Sequence, residues 1–123
     1  SIVICDFNGF TPPEMVKRRP VIVLSPRIKI RPDLCVVVCL STTDQNPVLS
    51  FHQQIVLSPC LPPPYDSAKM WVKGDMVYSV SIQRLSWPYR KVNDSRKYII
   101  QKLPIDQMKI VESCVMDALQ LIK

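Results

Sequence analysis

A chain of 123 residues, 47% hydrophobic and 21% charged, is too apolar to be disordered and long enough to bury a core as one domain, 1–123. Its longest apolar run, Leu34 to Leu40, has seven residues and is far short of a membrane span, and nothing at the N-terminus has the layout of a signal peptide. A net charge of +6 with a pI near 9.2 favours a polyanionic partner, either nucleic acid or an acidic protein.

Two glycines against twelve prolines imply loops stiffened by proline rather than loosened by glycine. The first apolar run, Ile2 to Phe7, leads into a polar loop that ends in Lys17, Arg18 and Arg19. Pro20 follows at once, then the run Val21 to Leu24. A residue before proline is held in an extended conformation, and proline is tolerated at the first residue of a strand. Arg19 is therefore expected at the mouth of a strand with a nearly fixed backbone. Its guanidinium suits a phosphate clamp, although a solvated surface arginine would have the same sequence.

The run Leu34 to Leu40 predicts a core strand that stops abruptly in Ser41, Thr42, Thr43, Asp44 and Gln45. Those hydroxyls could hold a phosphate oxygen at the rim of a sheet, or simply form a turn. Further runs follow at Gln54 to Leu57, Met76 to Ile82 and Lys97 to Leu103. They are rich in Val and Ile, and several are apolar on both faces, which predicts a small closed sheet. Ser58 to Tyr65 carries four prolines and reads as a rigid crossing between strands. The period then changes: Met108, Val111, Val115, Ala118 and Ile122, with Cys114 and Leu119 beside them, predict an amphipathic helix whose first turn holds Pro104 and Asp106.

Five cysteines cannot all pair within one chain, and three lie in apolar runs where Cys acts as a small hydrophobe. Cys35 and Cys39 share a strand face roughly 13 Å apart, too far for a disulfide or a common metal. With one histidine and no Cys-x-x-Cys, no metal site is expected, and the chain reads as reduced and cytoplasmic. His52, entering a strand, is expected at the surface.

The sequence has Glu14, four residues, Arg19-Pro20, a Val/Ile run with Ser25-Pro26, a strand ending in Thr42-Thr43, and Gly74-Asp75 opening another apolar run. This order resembles the MazF/PemK/Kid family of toxin endoribonucleases from bacterial toxin–antitoxin pairs, over nearly the whole chain. The resemblance implies a mainly β fold with α: a small SH3-like barrel (CcdB/MazF-type) of five to seven strands plus a C-terminal amphipathic helix, working as a homodimer. It implies a toxin that inhibits translation and growth by cutting single-stranded RNA at short sequences, without metal or other cofactor. The RNA 2′-OH attacks the adjacent phosphate, leaving a 2′,3′-cyclic phosphate and a 5′-OH. A cognate acidic antitoxin across the basic groove is the expected protein partner, and no membrane is involved.

On this resemblance Arg19 and Thr42 are the central catalytic residues. Arg19 clamps the phosphate and neutralises the leaving oxygen, since arginine hardly deprotonates, while Thr42 is a neutral donor. Glu14 is the candidate base, or else an ion-pair partner of Lys17 or Arg18 that orders the loop. Lys17 and Arg18 would draw in the RNA backbone, with Ser41, Thr43 and Gln45 as rim contacts. Lys73 stands where one branch of the family has an arginine. It cannot make the same planar fork and is read as a phosphate contact, with Asp75 as base-recognition acceptor or structural cap. Phe10, Trp71, Trp87 and Tyr89 are candidate stacking faces.

Two readings from other classes remain: a gyrase poison of the same fold, like CcdB, and an SH3-like module that binds RNA or protein without cutting. CcdB depends on a Trp-Gly-Ile terminus, whereas this chain ends Gln120-Leu121-Ile122-Lys123.

Overall fold

Six stretches, Ile2–Asp6 (β1), Arg18–Val23 (β2), Leu34–Ser41 (β3), His52–Val56 (β4), Lys69–Ser81 (β5) and Leu85–Ser86 (β6), pair into one antiparallel sheet in the order β4-β5-β3-β2-β1-β6. This is the arrangement in the computed structural model, which describes residues 1–25 and 32–120. Tyr89–Val92 (β7) and Ser95–Tyr98 (β8) form a separate hairpin, and Ile105–Ala118 is the helix α1. Pro26 and Ile122, singled out in the sequence, lie outside the described residues.

Strand side chains alternate, so a run apolar at every position feeds two cores at once. Val3, Cys5, Val21, Cys35, Val37, Cys39 and Val80 gather on one face, and Ile2, Ile22, Val38, Leu40, Ile55, Met70 and Val72 on the other. The helix α1 covers the second face through Val111 and Cys114, flanked by Met108, Ile110 and Val115. Fully burying a side chain such as Val111 contributes roughly 1.5–3 kcal/mol. At Gly74 the helix comes so close that a Cβ would stand 2.5 Å from the Cys114 carbonyl oxygen, which only a glycine permits.

The first face is covered by the β1–β2 loop. Phe7, Phe10 and Tyr78 meet ring to ring at centroid distances of 5.3–5.4 Å, and Met15 is buried beside them. Arg84 lies over the Phe10 ring and donates from Nη1 to the carbonyls of Asp6 and Asn8 at 2.9 and 2.8 Å, which pins the start of the loop.

The mainly β fold with a closing helix is as expected, and the proline-rich segment does bridge β4 to β5. Four details differ. Among the described residues the sheet keeps open edges at β4 and β6 rather than closing through hydrogen bonds. β5 starts at Lys69, seven residues before the predicted run, because its first half alternates buried with polar side chains. The strand expected from Lys97 to Leu103 is instead β8, which ends at Tyr98. Pro104 caps α1 from outside rather than opening it, and Leu119 at its end is exposed.

Candidate active site

The ends of β1, β2, β3 and β4 and the middle of β5 meet at one end of the sheet. Arg19 pairs with Cys5 across β1, and Val21, two residues on, pairs with Cys39 of β3. Cys39 pairs with Lys73, and Lys73 with His52. Partners in register share a face, so Arg19, Lys73 and His52 belong to the face with Cys39. Between Val38 and Cys39 the pairing jumps from Val77 to Lys73, a bulge that releases Gly74 to Met76 from the ladder. Bulges re-aim side chains, and this one turns Asp75 towards the same group.

Electrostatics agree with that register. Burial pushes the Cys39 thiol up to about 12, Cys5 adds to the rise, Lys73 and Arg19 pull against it, and Asp75 reinforces it. The charges of Arg19, Lys73 and Asp75 thus all reach the Cys39 thiol. Because the thiol stays protonated at neutral pH, Cys39 is no nucleophile. Burial also raises the Tyr78 phenol; the Met15 N–H, donating to its oxygen at 3.1 Å, opposes this, and Cys39, Glu14 and Asp75 add to it. Glu14 therefore approaches from the loop side.

His52 corrects the sequence expectation: it is buried, not a surface residue. Its Nδ1 accepts the Leu49 N–H at 3.2 Å, and its Nε2 stands 4.0 Å from Asp75 Oδ1. Alternating apolar positions in a short edge strand gave no sign of this, since the inward partner, Lys73, is itself polar.

The remaining candidates divide. Glu14 Oε1 accepts the Thr11 N–H at 2.9 Å, so the carboxylate orders its loop through backbone rather than through Lys17 or Arg18. Lys17 is exposed on that loop. Arg18 is not with Arg19: alternation sends it to the opposite face, where its guanidinium lies 3.7 Å from Asp6. Ser41, half-buried at the end of β3, accepts the Thr43 N–H at 3.1 Å and so forms the turn. Thr42 and Thr43 are exposed in the bend just beyond it, and Gln45 Nε2 closes the turn on the Thr43 carbonyl at 2.8 Å. Trp71, opposite Ser41, donates to Asp44 Oδ1 at 3.2 Å. Phe10 belongs to the ring cluster under the loop, while Trp87 and Tyr89 are exposed. Tyr78 and Arg84, which fix the loop, had no motif to announce them.

Among the described residues no group of three or more His, Cys, Asp and Glu could hold a metal ion, and no helix is long and apolar enough to cross a membrane. What the described residues offer is two cations, Arg19 and Lys73, with Asp75 at the Cys39 end of one sheet face, Glu14 on the loop, and the hydroxyls of Ser41, Thr42 and Thr43 where β3 ends.

Comparison with known proteins agrees on the family. The family described as PemK-like, MazF-like toxin of type II toxin-antitoxin system matches residues 1–119. The uncharacterized protein YifN of Escherichia coli (strain K12) is 30% identical over 119 residues, 94% of this chain and 76% of that protein. Among solved structures, the Mycobacterium tuberculosis toxin MazF-mt6 superposes with a TM-score of 0.62 at 15% identity, covering 99% of this chain and 98% of the other. An endoribonuclease in complex with its cognate antitoxin from mycobacterial species gives a TM-score of 0.59 at 16% identity, over 99% and 93% of the two chains.

Proposed function

The chain belongs to the PemK-like, MazF-like toxin family of type II toxin–antitoxin systems, and from that premise we propose that it is an endoribonuclease that cuts single-stranded mRNA and is silenced by an acidic antitoxin. The observation that carries this reading is the convergence of Arg19, Lys73 and Asp75 on the Cys39 end of one sheet face, beside a hydroxyl-bearing turn.

In the proposed reaction the 2′-oxygen bonds to phosphorus as the bond from phosphorus to the 5′-oxygen breaks. Charge builds on the non-bridging oxygens, and preorganised cations and donors aimed there lower the barrier. Arg19 clamps that phosphate, Lys73 adds a second positive charge, and Thr42 supplies a neutral donor. Glu14 takes the 2′-OH proton through the carboxylate oxygen that Thr11 leaves available, and Asp75 is its rival for that task. The 5′-oxygen leaves with a proton from water held at Arg19. The reading places the enzyme in the cytoplasm, as a homodimer, where transcripts are its substrate.

The test is a long single-stranded RNA incubated with the protein in EDTA, beside Arg19→Ala and Thr42→Ala. The expected result is discrete fragments with 5′-OH and 2′,3′-cyclic phosphate ends, formed about 10²–10³ times more slowly by each variant at an unchanged Tm. RNA left whole by the parent protein sinks the proposal. Trapped gyrase would then favour a CcdB-like poison, and binding without cutting a non-cleaving module. Glu14→Gln and Asp75→Asn separate the two bases, since only loss of the true base removes the rise of rate with pH.

A further inference from the structure

The basic cluster read from the sequence is divided by the strand that carries it. Arg19 faces the candidate site, while Arg18 faces the other side of the sheet, with 64% of its side chain exposed. There α1 packs mainly on β4 and β5, and the β1–β6 end is flanked instead by the proline-rich crossing and the segment around Trp87. A cleft of about 380 Å³ opens at that end, lined by Arg18, Ile4, Tyr65, Trp87 and Tyr89 among others. Tyr65 is held in place by donating its hydroxyl to the Arg18 carbonyl at 3.1 Å.

Tyr89 also begins the β7–β8 hairpin, whose eight strand residues are all exposed. In its register Arg90 lies opposite Lys97 and Lys91 opposite Arg96. Both pairs set cation against cation, and like charges directly opposite destabilise a strand pair. A solitary two-stranded hairpin is at best marginal in water, so this one is built against its own stability unless an anion neutralises it. Its two tyrosines meet at a centroid distance of 5.9 Å, and Arg96 lies 4.5 Å from the Tyr89 ring centre. Lys91 and Arg96 share the face of Tyr89 and Tyr98, while Arg90 and Lys97 lie on the other; cations beside aromatic rings are what a flexible strand of nucleotides needs, charge for the phosphates and flat rings for unpaired bases. An acidic peptide would use the charges and leave the rings idle.

We propose that the β7–β8 hairpin and the Arg18–Trp87 cleft at its root form a second tract for single-stranded RNA, outside the candidate active site, holding substrate away from the cleaved bond without reading its sequence. The proposal rests on the ribonuclease reading and deepens it.

The test uses fully 2′-O-methylated RNA, which lacks the nucleophile, synthesised around a site the parent protein cuts, in lengths of about 8 and about 24 nucleotides. The variant Arg90→Gln, Lys91→Gln, Arg96→Gln, Lys97→Gln is compared with the parent across a salt series. On the longer RNA the salt dependence of log K should flatten by about 1.4, since the two cations on the ring face, Lys91 and Arg96, each remove ~0.7 with their phosphate contact. Trp87→Ala should weaken that RNA on the order of tenfold, as the loss of one stacked base does. The short RNA should bind all three proteins alike. Equal losses on both lengths, or none on either, overturn the proposal. So does unchanged RNA affinity combined with lost binding of poly-glutamate, which assigns the surface to an acidic protein. A parent protein that cuts no RNA refutes the ribonuclease reading first, and the tract falls with it. If cutting persists and the long RNA is indifferent to the hairpin, only the tract is refuted.

Discussion

Cys39 is surrounded by the groups a catalytic thiol would want, yet its burial disqualifies it and makes it a liability at high pH. The thiol is held at about 12 against an ordinary 9.0. A group whose proton is bound more tightly in the folded state contributes stability below its unfolded value. That contribution is lost as pH rises from about 9 to about 12, because the unfolded chain ionises first. Cys5, pushed up by burial to about 11, acts in the same sense. The Tm should therefore fall between pH 9 and 11, and Cys39→Ala should flatten that fall in a thermal melt series even though it lowers the Tm at pH 7. An equally steep fall in the variant would place the alkaline weakness elsewhere. His52 supports a second test at this scale. With Nδ1 accepting from Leu49, the neutral ring carries its proton on Nε2, facing Asp75. Nitrogen-15 NMR of the ring should show the Nε2–H tautomer, with the Nε2 resonance moving in Asp75→Asn and the Nδ1 resonance staying put.

The joint between α1 and β5 governs the site from behind, because the bulge that turns Asp75 outward begins at the glycine the helix sits on. A methyl group at Gly74 meets the Cys114 backbone, which cannot yield as a side-chain tip can. Gly74→Ala should cost about 1–3 kcal/mol as an overpacked core does, seen as a lower urea midpoint, and should depress RNA cutting further by displacing Lys73 and Asp75. Ala at Gly9, remote from the helix, is the control for effects on the loop alone. This joint marks the boundary of what the sequence discloses. Local rules reached Arg19, because proline fixes its neighbour, and they reached the strands that are apolar on both faces. The helix was legible from its period. The first half of β5 was not, since its alternate positions Lys69, Lys73 and Asp75 are polar and its pairing with β3 is broken by a bulge. Nor was the division of Arg18 from Arg19: that depends on strand alternation beginning before Pro20. The Asn93-Asp94 turn, at φ 51° and 65°, carries the chemistry of a tight hairpin turn, but the polar strands beside it lacked an apolar face to reveal them.

At the scale of the whole molecule, two sets of cations among the described residues stand apart. One set of cations, Arg19 and Lys73, is embedded at the rim of a core; the other, Arg18 and the hairpin, stands out on the opposite face. On the proposed ribonuclease reading, a protein that blocks cutting has only to cover the first. The acidic antitoxin expected of a type II pair should therefore be steered by the Arg19 face and be indifferent to the hairpin. Steered association depends on unscreened charge, and between roughly 0.01 and 0.1 M salt the screening length contracts from about 30 to about 10 Å. Stopped-flow mixing with the antitoxin should show an association rate that drops steeply over that range while dissociation changes little. Lys73→Glu should slow association at low salt, whereas the four-fold glutamine hairpin should leave it unchanged. An association rate that ignores salt, or one lost with the hairpin and not with Lys73, would mean that the inhibitor grips the other face and stops cutting by distorting the sheet rather than by covering Arg19 and Lys73.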